Sequence, residues 1–287
     1  MNNNKKIKIP ETSLNLLKKS ISHNYINVNK NLNFGIENQF DIKRVMDRYN
    51  DLLKTFSIES LKNKKILEIG SGSGIFVAYL RKEGVKAYGV EPDKYSLECS
   101  LNILRVNNIK PCISNSCGEK LKFPSNYFDI IISYQVLEHT QDPPKVLEEC
   151  SRVLKKNGFL YFVVPNYNSF WEGHYSIIWF PFLPKSLYKI YVRILGRNPG
   201  FIDTLQFVTP PKLKIWAKNA NLITLSYGEN RFKYNLSKTK FKDYWAANPN
   251  FVKIINLFRK LRITSILSYL LIKSKTYYPI YFIAKKM

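Results

Sequence analysis

One stretch of the 287-residue chain, KKILEIGSGSGIFVAYL from Lys64 to Leu80, has residue types and spacing that invite chemistry. Gly70, Gly72 and Gly74 alternate between an apolar, strand-like run and an apolar, helix-like one. Glycine serves where backbone takes positive φ or comes close to a ligand, and a helix N-terminus offers free N–H groups, so this turn suits a nucleotide-like ligand. Glu91 stands 17 residues beyond Gly74, at the end of the next strand-like segment, where a carboxylate can accept two hydrogen bonds from a ribose diol. Two histidines add acid–base capacity: His139 in VLEHT, and His174 in PNYNSFWEGHY, two residues after Glu172. Imidazole titrates near working pH, which fits it to take a proton from an acceptor oxygen. A plainer reading stays open for each, with His139 a turn residue shaping a pocket and Glu172 and His174 serving loop packing.

Such residues need a frame. The spacing predicts strands over Lys65–Ile69, Val85–Val90, Pro111–Ser114, Asp129–Tyr134 and Phe159–Val164, alternating with helices over Ile75–Lys82 and Asp93–Val106 and one opened by Asp142 and Pro143. Asn157–Gly158 is expected to end that last helix, and Cys150 to fill its core face. Apolar strands separated by helices imply a doubly wound α/β fold, a mostly parallel sheet with helices on both faces. Ahead of the glycine strand, Phe40, Val45, Leu52, Leu53 and Phe56 recur at helical spacing, and residues 1–36 read as a partly ordered lead-in. We expect one domain over 1–287, with residues 1–60 as lead-in and helix. Two interruptions follow, an aromatic lid insertion over 166–206 and a basic amphipathic insertion over 229–277. Between them come a helix near Pro211–Asn219 and a strand near Asn221–Tyr227, and the last strand is Tyr278–Ala284.

A nicotinamide-binding turn wants a third glycine one residue later than Gly74, where Ile75 stands. GSGSG, preceded by Leu67-Glu68-Ile69 and joined with Glu91, instead resembles the class I S-adenosylmethionine-dependent methyltransferases. LKFPSNYFDIIISYQVLEHTQDP and RVLKKNGFLYFVVPN are similar to that family's later motifs, in its small-molecule branch. The resemblance implies a Rossmann-like sheet of seven strands with the final strand antiparallel, and S-adenosylmethionine as cofactor. It implies that Glu68, Gly70, Ser71, Gly72 and Gly74 surround the cofactor's amino-acid end. Glu91 and Pro92 would hold its ribose, and Cys117 and Gly118 would edge its adenine. Ser133 and Tyr134 would line the crevice at the end of the fourth strand, and His139, with Glu172 and His174 second, would serve the acceptor. Cys117 stands where the family usually has an acid, so the adenine contact passes to Glu119 or to backbone. Extensions with an aromatic Pro-Asn loop and a Gly196-Arg197 pair resemble methyltransferases of bacterial surface-polysaccharide gene clusters, which points to a sugar or glycan precursor methylated on oxygen or nitrogen.

Composition bears on partners. A formal net charge of +24 attracts nucleic acid, anionic lipid or phosphorylated substrates, although an AT-rich coding sequence would enrich Lys, Asn, Ile, Tyr and Phe in the same way. An RNA acceptor is disfavoured because Ser133-Tyr134-Gln135-Val136 replaces the Asn/Asp-Pro-Pro-aromatic turn of base-modifying relatives. In Phe251–Leu261, Phe251, Ile254, Ile255, Phe258 and Leu261 interleave with Lys253, Arg259 and Lys260, a pattern that serves a lid or a helix lying on anionic membrane. The membrane version would suit a lipid-linked or quinone-type acceptor, and a scaffold that binds cofactor without turnover is a further alternative. Cys99, Cys112, Cys117 and Cys150 form no CxxC pair, and no carboxylate cluster suggests a metal, so neither disulfide nor metal site is expected. MNNNKKIKIP lacks an apolar leader core, and Ile263–Ile272 is far short of the roughly 20 residues a membrane span needs. We expect a soluble, cytoplasmic protein, peripheral to the inner membrane surface at most.

Overall fold

The computed structural model describes residues 7–25, 28, 39–237 and 249–287, without the side chains of 249–252 and 254. Its centre is a seven-stranded sheet in the order β3-β2-β1-β4-β5-β9-β8. The strands are β1 (Lys65–Ile69), β2 (Lys86–Val90), β3 (Ile113–Ser114), β4 (Phe128–Tyr134), β5 (Leu154–Val164), β8 (Leu222–Ser226) and β9 (Ile280–Lys286). The first five run parallel, and β9 runs antiparallel between β5 and β8. A parallel sheet must be covered on both faces, and the strand side chains divide accordingly. Ile66, Ile130, Ile132, Tyr161 and Val163 enter one buried cluster, while Leu67, Ile69, Ile131, Leu160, Phe162 and Val164 enter the other. The first face is covered by α1 (Glu11–Asn24), α2 (Ile42–Phe56), α3 (Ile75–Lys82) and α4 (Lys94–Val106), the second by α5 (Pro143–Val153) and α8 (Pro210–Asn219). Caps mark the helix starts: Asp41, Asp93, Asp142 and Thr209 each accept from backbone N–H groups of the first turn.

Two expectations need correction. The lead-in contains α1, a helix packed onto α4 and tied there by Ser20 Oγ to Ser96 Oγ at 3.0 Å and Ser13 Oγ to the Cys99 carbonyl at 3.3 Å. Its buried stripe of Ser13, Leu17, Ser20 and Ile21 mixes two serines with two aliphatics, which hides the helical period. The fourth-strand helix ends at Val153, ahead of Asn157–Gly158, because Leu154 already pairs with Phe128 across the sheet. Strand β5 accordingly begins at Leu154, ahead of the expected Phe159; the other boundaries shift by a residue or two, and Cys150 is fully buried on the core face of α5.

The two interruptions build separate apolar clusters. Over 166–206, β6 (Trp171–Glu172) and β7 (Ile177–Ile178) form a hairpin, followed by α6 (Lys185–Ile194) and α7 (Phe201–Thr204). Trp179 stacks on Tyr188 at 3.7 Å between centroids, and with Tyr167, Tyr175 and Phe201 they form a cluster of their own. Over 229–277, α9 (Glu229–Ser237), α10 (Pro249–Lys260) and α11 (Thr264–Lys273) pack through Phe232, Leu236 and Ile255 against Trp171, Tyr277 and Tyr278. The expected apolar positions Phe251 and Ile254 lie outside the described side chains. Arg231 of α9 pairs with Asp51 of α2, and Asp51 also accepts from Tyr161 Oη at 2.6 Å, so this interruption is latched to the sheet.

Candidate active site

At the C-terminal edge of β1 the chain turns through Gly70, Gly72 and Gly74 with φ of 68°, 53° and 72°. The three glycines are needed for different reasons. A Cβ on Gly70 would lie 2.3 Å from Val136 Cγ2, and one on Gly74 would lie 2.5 Å from Ser100 Cβ, so the protein itself excludes side chains there. A Cβ on Gly72 would meet only the tip of Gln39, 3.3 Å away. Nothing else among the described residues lies within 4 Å of that position, so only a movable side-chain tip stands between this backbone and a ligand. Glu91, at the end of β2, accepts from Gly72 N at 2.8 Å through one oxygen and from Asp93 N at 2.9 Å through the other, which fixes the carboxylate beside the turn. Burial raises its pKa, and those two backbone donors oppose the rise.

Glu68 is the second buried acid here, 3% exposed, with Oε2 lacking a hydrogen-bond partner; burial pushes it up to about 8 against the opposing charge of Arg48. Ser71 Oγ is likewise buried and unpartnered. Orphaned buried polar atoms are costly, and a carboxylate and hydroxyl beside an open glycine suit the ammonium and carboxylate of an amino-acid moiety. Pro92 is exposed just beyond Glu91. Cys117 is exposed beside Gly118, which packs tightly on Ile69 and Val146. Glu119, the other candidate for an adenine contact, accepts from Gln141 N at 2.8 Å. Ser133 donates to the Ile69 carbonyl at 3.1 Å and binds strand to strand. The Tyr134 ring packs under Arg48, 4.2 Å from guanidinium to centroid.

The acceptor candidates converge. Gln135, at φ 56°, turns the chain sharply after β4, aims Val136 at Gly70 and starts the 3-10 turn Leu137–His139. The β6–β7 hairpin then brings Glu172 and His174 against it. His174 Nδ1 lies 2.6 Å from Glu172 Oε1, and His174 Nε2 lies 3.1 Å from His139 Nε2. Glu172 Oε2 accepts from Tyr175 N at 2.7 Å, which locks the carboxylate. Two further residues complete the cluster, and spacing alone does not reveal either. Glu138 is fully buried, with Oε1 4.0 Å from both Nε2 atoms and neither oxygen hydrogen-bonded. Tyr25, from the lead-in, stacks on His174 and meets His139 edge-on at centroid distances of 6.4 and 6.2 Å, beside Phe201. Glu138 had the only available signal, its place beside His139 in VLEHT.

Charges in this cluster are coupled. Burial pushes Glu138 up to about 7 against the opposing charge of His174. Burial also pulls His174 down, but Glu172, by charge and hydrogen bond, and Glu138 outweigh it, so His174 holds its proton more tightly than a free imidazole. His139 is pushed the other way by burial and by His174, and stands neutral. The result is a carboxylate–imidazole–imidazole chain ending in a neutral base, walled by aromatic rings.

Residues 67–162 match the family profile described as a methyltransferase domain. The chain carries a methyltransferase domain, and the turn, Glu91 and the buried acid Glu68 fit S-adenosylmethionine as its cofactor. Among curated relatives, a ubiquinone biosynthesis O-methyltransferase of Coxiella burnetii is 27% identical over 195 residues, covering 66% of this chain and 78% of the relative. One of the same name from Pelagibacter ubique is 30% identical over 120 residues, 40% of this chain and 50% of the relative. Two solved structures share the fold. Phosphoethanolamine N-methyltransferase 2 of Haemonchus contortus, in complex with S-adenosyl-L-methionine, has a TM-score of 0.52 at 18% identity, covering 84% of this chain and 52% of its own. Geranyl diphosphate C-methyltransferase of Streptomyces coelicolor has a TM-score of 0.52 at 11% identity, covering 85% and 80%.

Proposed function

We propose that this enzyme methylates a hydroxyl oxygen of a small molecule, and that the hydroxyl is borne by an aromatic ring. The observation that carries the reading is the Glu172–His174–His139 chain beside Tyr25 and Phe201. When bound, S-adenosylmethionine supplies an electrophilic methyl on a sulfonium, open to in-line displacement. Gly72, Glu68 and Glu91 would hold it, and the chain's remaining task is to align the acceptor oxygen and relieve it of a proton. His139 is the neutral group positioned to accept that proton, with His174 and Glu172 fixing its ring and sharing the charge. Tyr25 and Phe201 surround the histidine pair with aromatic rings, an environment that suits a flat, ring-bearing acceptor. The O-methyltransferase names of the curated relatives support oxygen and a quinone-type ring. The glycan acceptor expected from the sequence finds no support among them.

A specific observation also favours peripheral membrane contact. Ser268 of α11 is buried and Leu267 packs inward, as a lid requires, while Ile266, Tyr269 and Leu270 of the same helix are 63%, 62% and 55% exposed. Lys260, Arg262, Lys273 and Lys275 flank these apolar side chains, a combination suited to anionic lipid. No described helix is long and apolar enough to cross a membrane. Flotation with phosphatidylglycerol and phosphatidylcholine vesicles tests this: the anionic vesicles should carry the protein, and Ile266→Asp should release it.

The acceptor itself is tested with methyl-labelled cofactor and three panels: alkyl-substituted dihydroxybenzenes, nucleotide sugars with lipid-linked glycans, and RNA. Label in a phenolic ether supports the reading. Label appearing only in sugar or in RNA would replace it.

A further inference from the structure

We propose that Glu138, His139 and His174 form a binding site for a divalent first-row transition ion, with zinc as its best-matched occupant. Two of the chain's three histidines meet here, and one Nε2 from each and one Glu138 oxygen lie within 4.8 Å of one another. The geometry is close to that of a coordination shell. Two ligands of a tetrahedral ion at roughly 2.0–2.1 Å stand about 3.3 Å apart, and the two Nε2 atoms stand 3.1 Å apart. Glu138 Oε1 is 4.0 Å from each, so a carboxylate movement of less than about 1 Å would bring all three onto one ion.

An independent observation points to a missing partner. Glu138 has no exposed side-chain surface, and neither carboxylate oxygen has a hydrogen bond. Buried acids left this way are rare because they forfeit hydration without compensation. The surrounding contacts are those of a ligand support. Glu172 Oε1 holds His174 Nδ1 at 2.6 Å and is itself held through Oε2 by Tyr175 N, an arrangement that orients a coordinating imidazole and raises its basicity.

Two nitrogens and one carboxylate favour zinc, cobalt or nickel over magnesium or calcium, which take oxygen shells. Three protein ligands leave a fourth position open, and the 27% exposure of the His139 side chain leaves a way in. The sequence concealed the set because the ligands come from a 3-10 turn and from a hairpin 35 residues further on. Ion binding does not depend on the acceptor reading: with an ion present His139 is a ligand, and without one it is the neutral base described above.

The test uses the full chain, stripped with EDTA, dialysed and titrated with zinc chloride against a competing chromophoric chelator. Wild type should bind one ion per chain, and cobalt should give the visible absorption of a four-coordinate site. Glu172→Gln should weaken zinc by about 10–100-fold, and His174→Ala and Glu138→Gln by more, whereas His23→Ala, the exposed third histidine, should not. Circular dichroism and S-adenosylmethionine affinity check that each variant is folded, and the latter also tests the methyltransferase assignment on its own. Wild type that holds no more zinc than a His139→Ala/His174→Ala double variant would overturn the site, as would a cobalt spectrum unchanged by those substitutions.

Discussion

The two sides of the crevice are built in opposite ways. The cofactor side is local: Gly70 to Gly74 and Glu91 belong to consecutive elements, and the bond that joins them, Gly72 N to Glu91, spans 19 residues. The acceptor side is collected from four distant segments, with Tyr25 before the sheet, Glu138 and His139 after β4, Glu172 and His174 on the hairpin and Phe201 on α7. A shared cofactor can be held by one short stretch on rigid strands, whereas an acceptor pocket is assembled by whatever insertions lie over the strand ends. Substitutions on the two sides should therefore separate affinity from turnover.

The largest separation is expected at His139. His139→Ala should lower kcat by about 10²–10⁴-fold while S-adenosylmethionine affinity stays within about twofold, as measured by steady-state rates and calorimetry. An equal loss in both would show that the two sides are one cooperative unit. Next come the glycines. Gly70→Ala forces a methyl into Val136 at positive φ and should cost about 2–4 kcal/mol of stability by denaturant unfolding. Gly72→Ala meets only Gln39, so it should cost only the left-handed strain of about 1–2 kcal/mol and lose cofactor affinity instead. If Gly72→Ala bound cofactor normally, the open face beside it would not be the cradle. Glu91→Ala removes a charged acceptor from a buried diol and should weaken cofactor by about 1.5–3 kcal/mol, with kcat at saturation nearly kept.

The same contrast governs how much the sequence discloses. The glycine turn, Glu91 and the alternating strands are readable because each is encoded in a contiguous run: Leu67, Ile69 and Ile131 on one face and Ile66, Ile130 and Ile132 on the other make β1 and β4 predominantly apolar on both faces. His139, Glu172 and His174 are legible as residue types, but their meeting depends on a hairpin whose partner strand is only Ile177–Ile178. Tyr25 gave no signal, because α1 carries Ser13 and Ser20 where a helical stripe would show aliphatics. Glu138 reads as a solvated charge until the fold buries it. Serine-to-serine packing and charge burial are tertiary outcomes, and no local period encodes them.

A further contrast is the pH dependence left by the two buried acids, one on each side. Glu68 is pushed up to about 8 and Glu138 to about 7, both from an ordinary 4.5, and burial is the main cause in each. The folded state therefore binds more protons than the unfolded chain between about pH 4.5 and 8, so stability should fall as pH rises through that window. Chemical denaturation at pH 5 and pH 8.5 measures it, with Glu68→Gln and Glu138→Gln each flattening the decline. The comparison sharpens when ligands are added. S-adenosylmethionine should restore high-pH stability to wild type but not to Glu68→Gln, because its ammonium compensates the carboxylate that the substitution removes. Zinc should do the same through Glu138. Crossed responses, with zinc acting through Glu68 or cofactor through Glu138, would show that the two acids share one electrostatic site and that the division into sides is wrong.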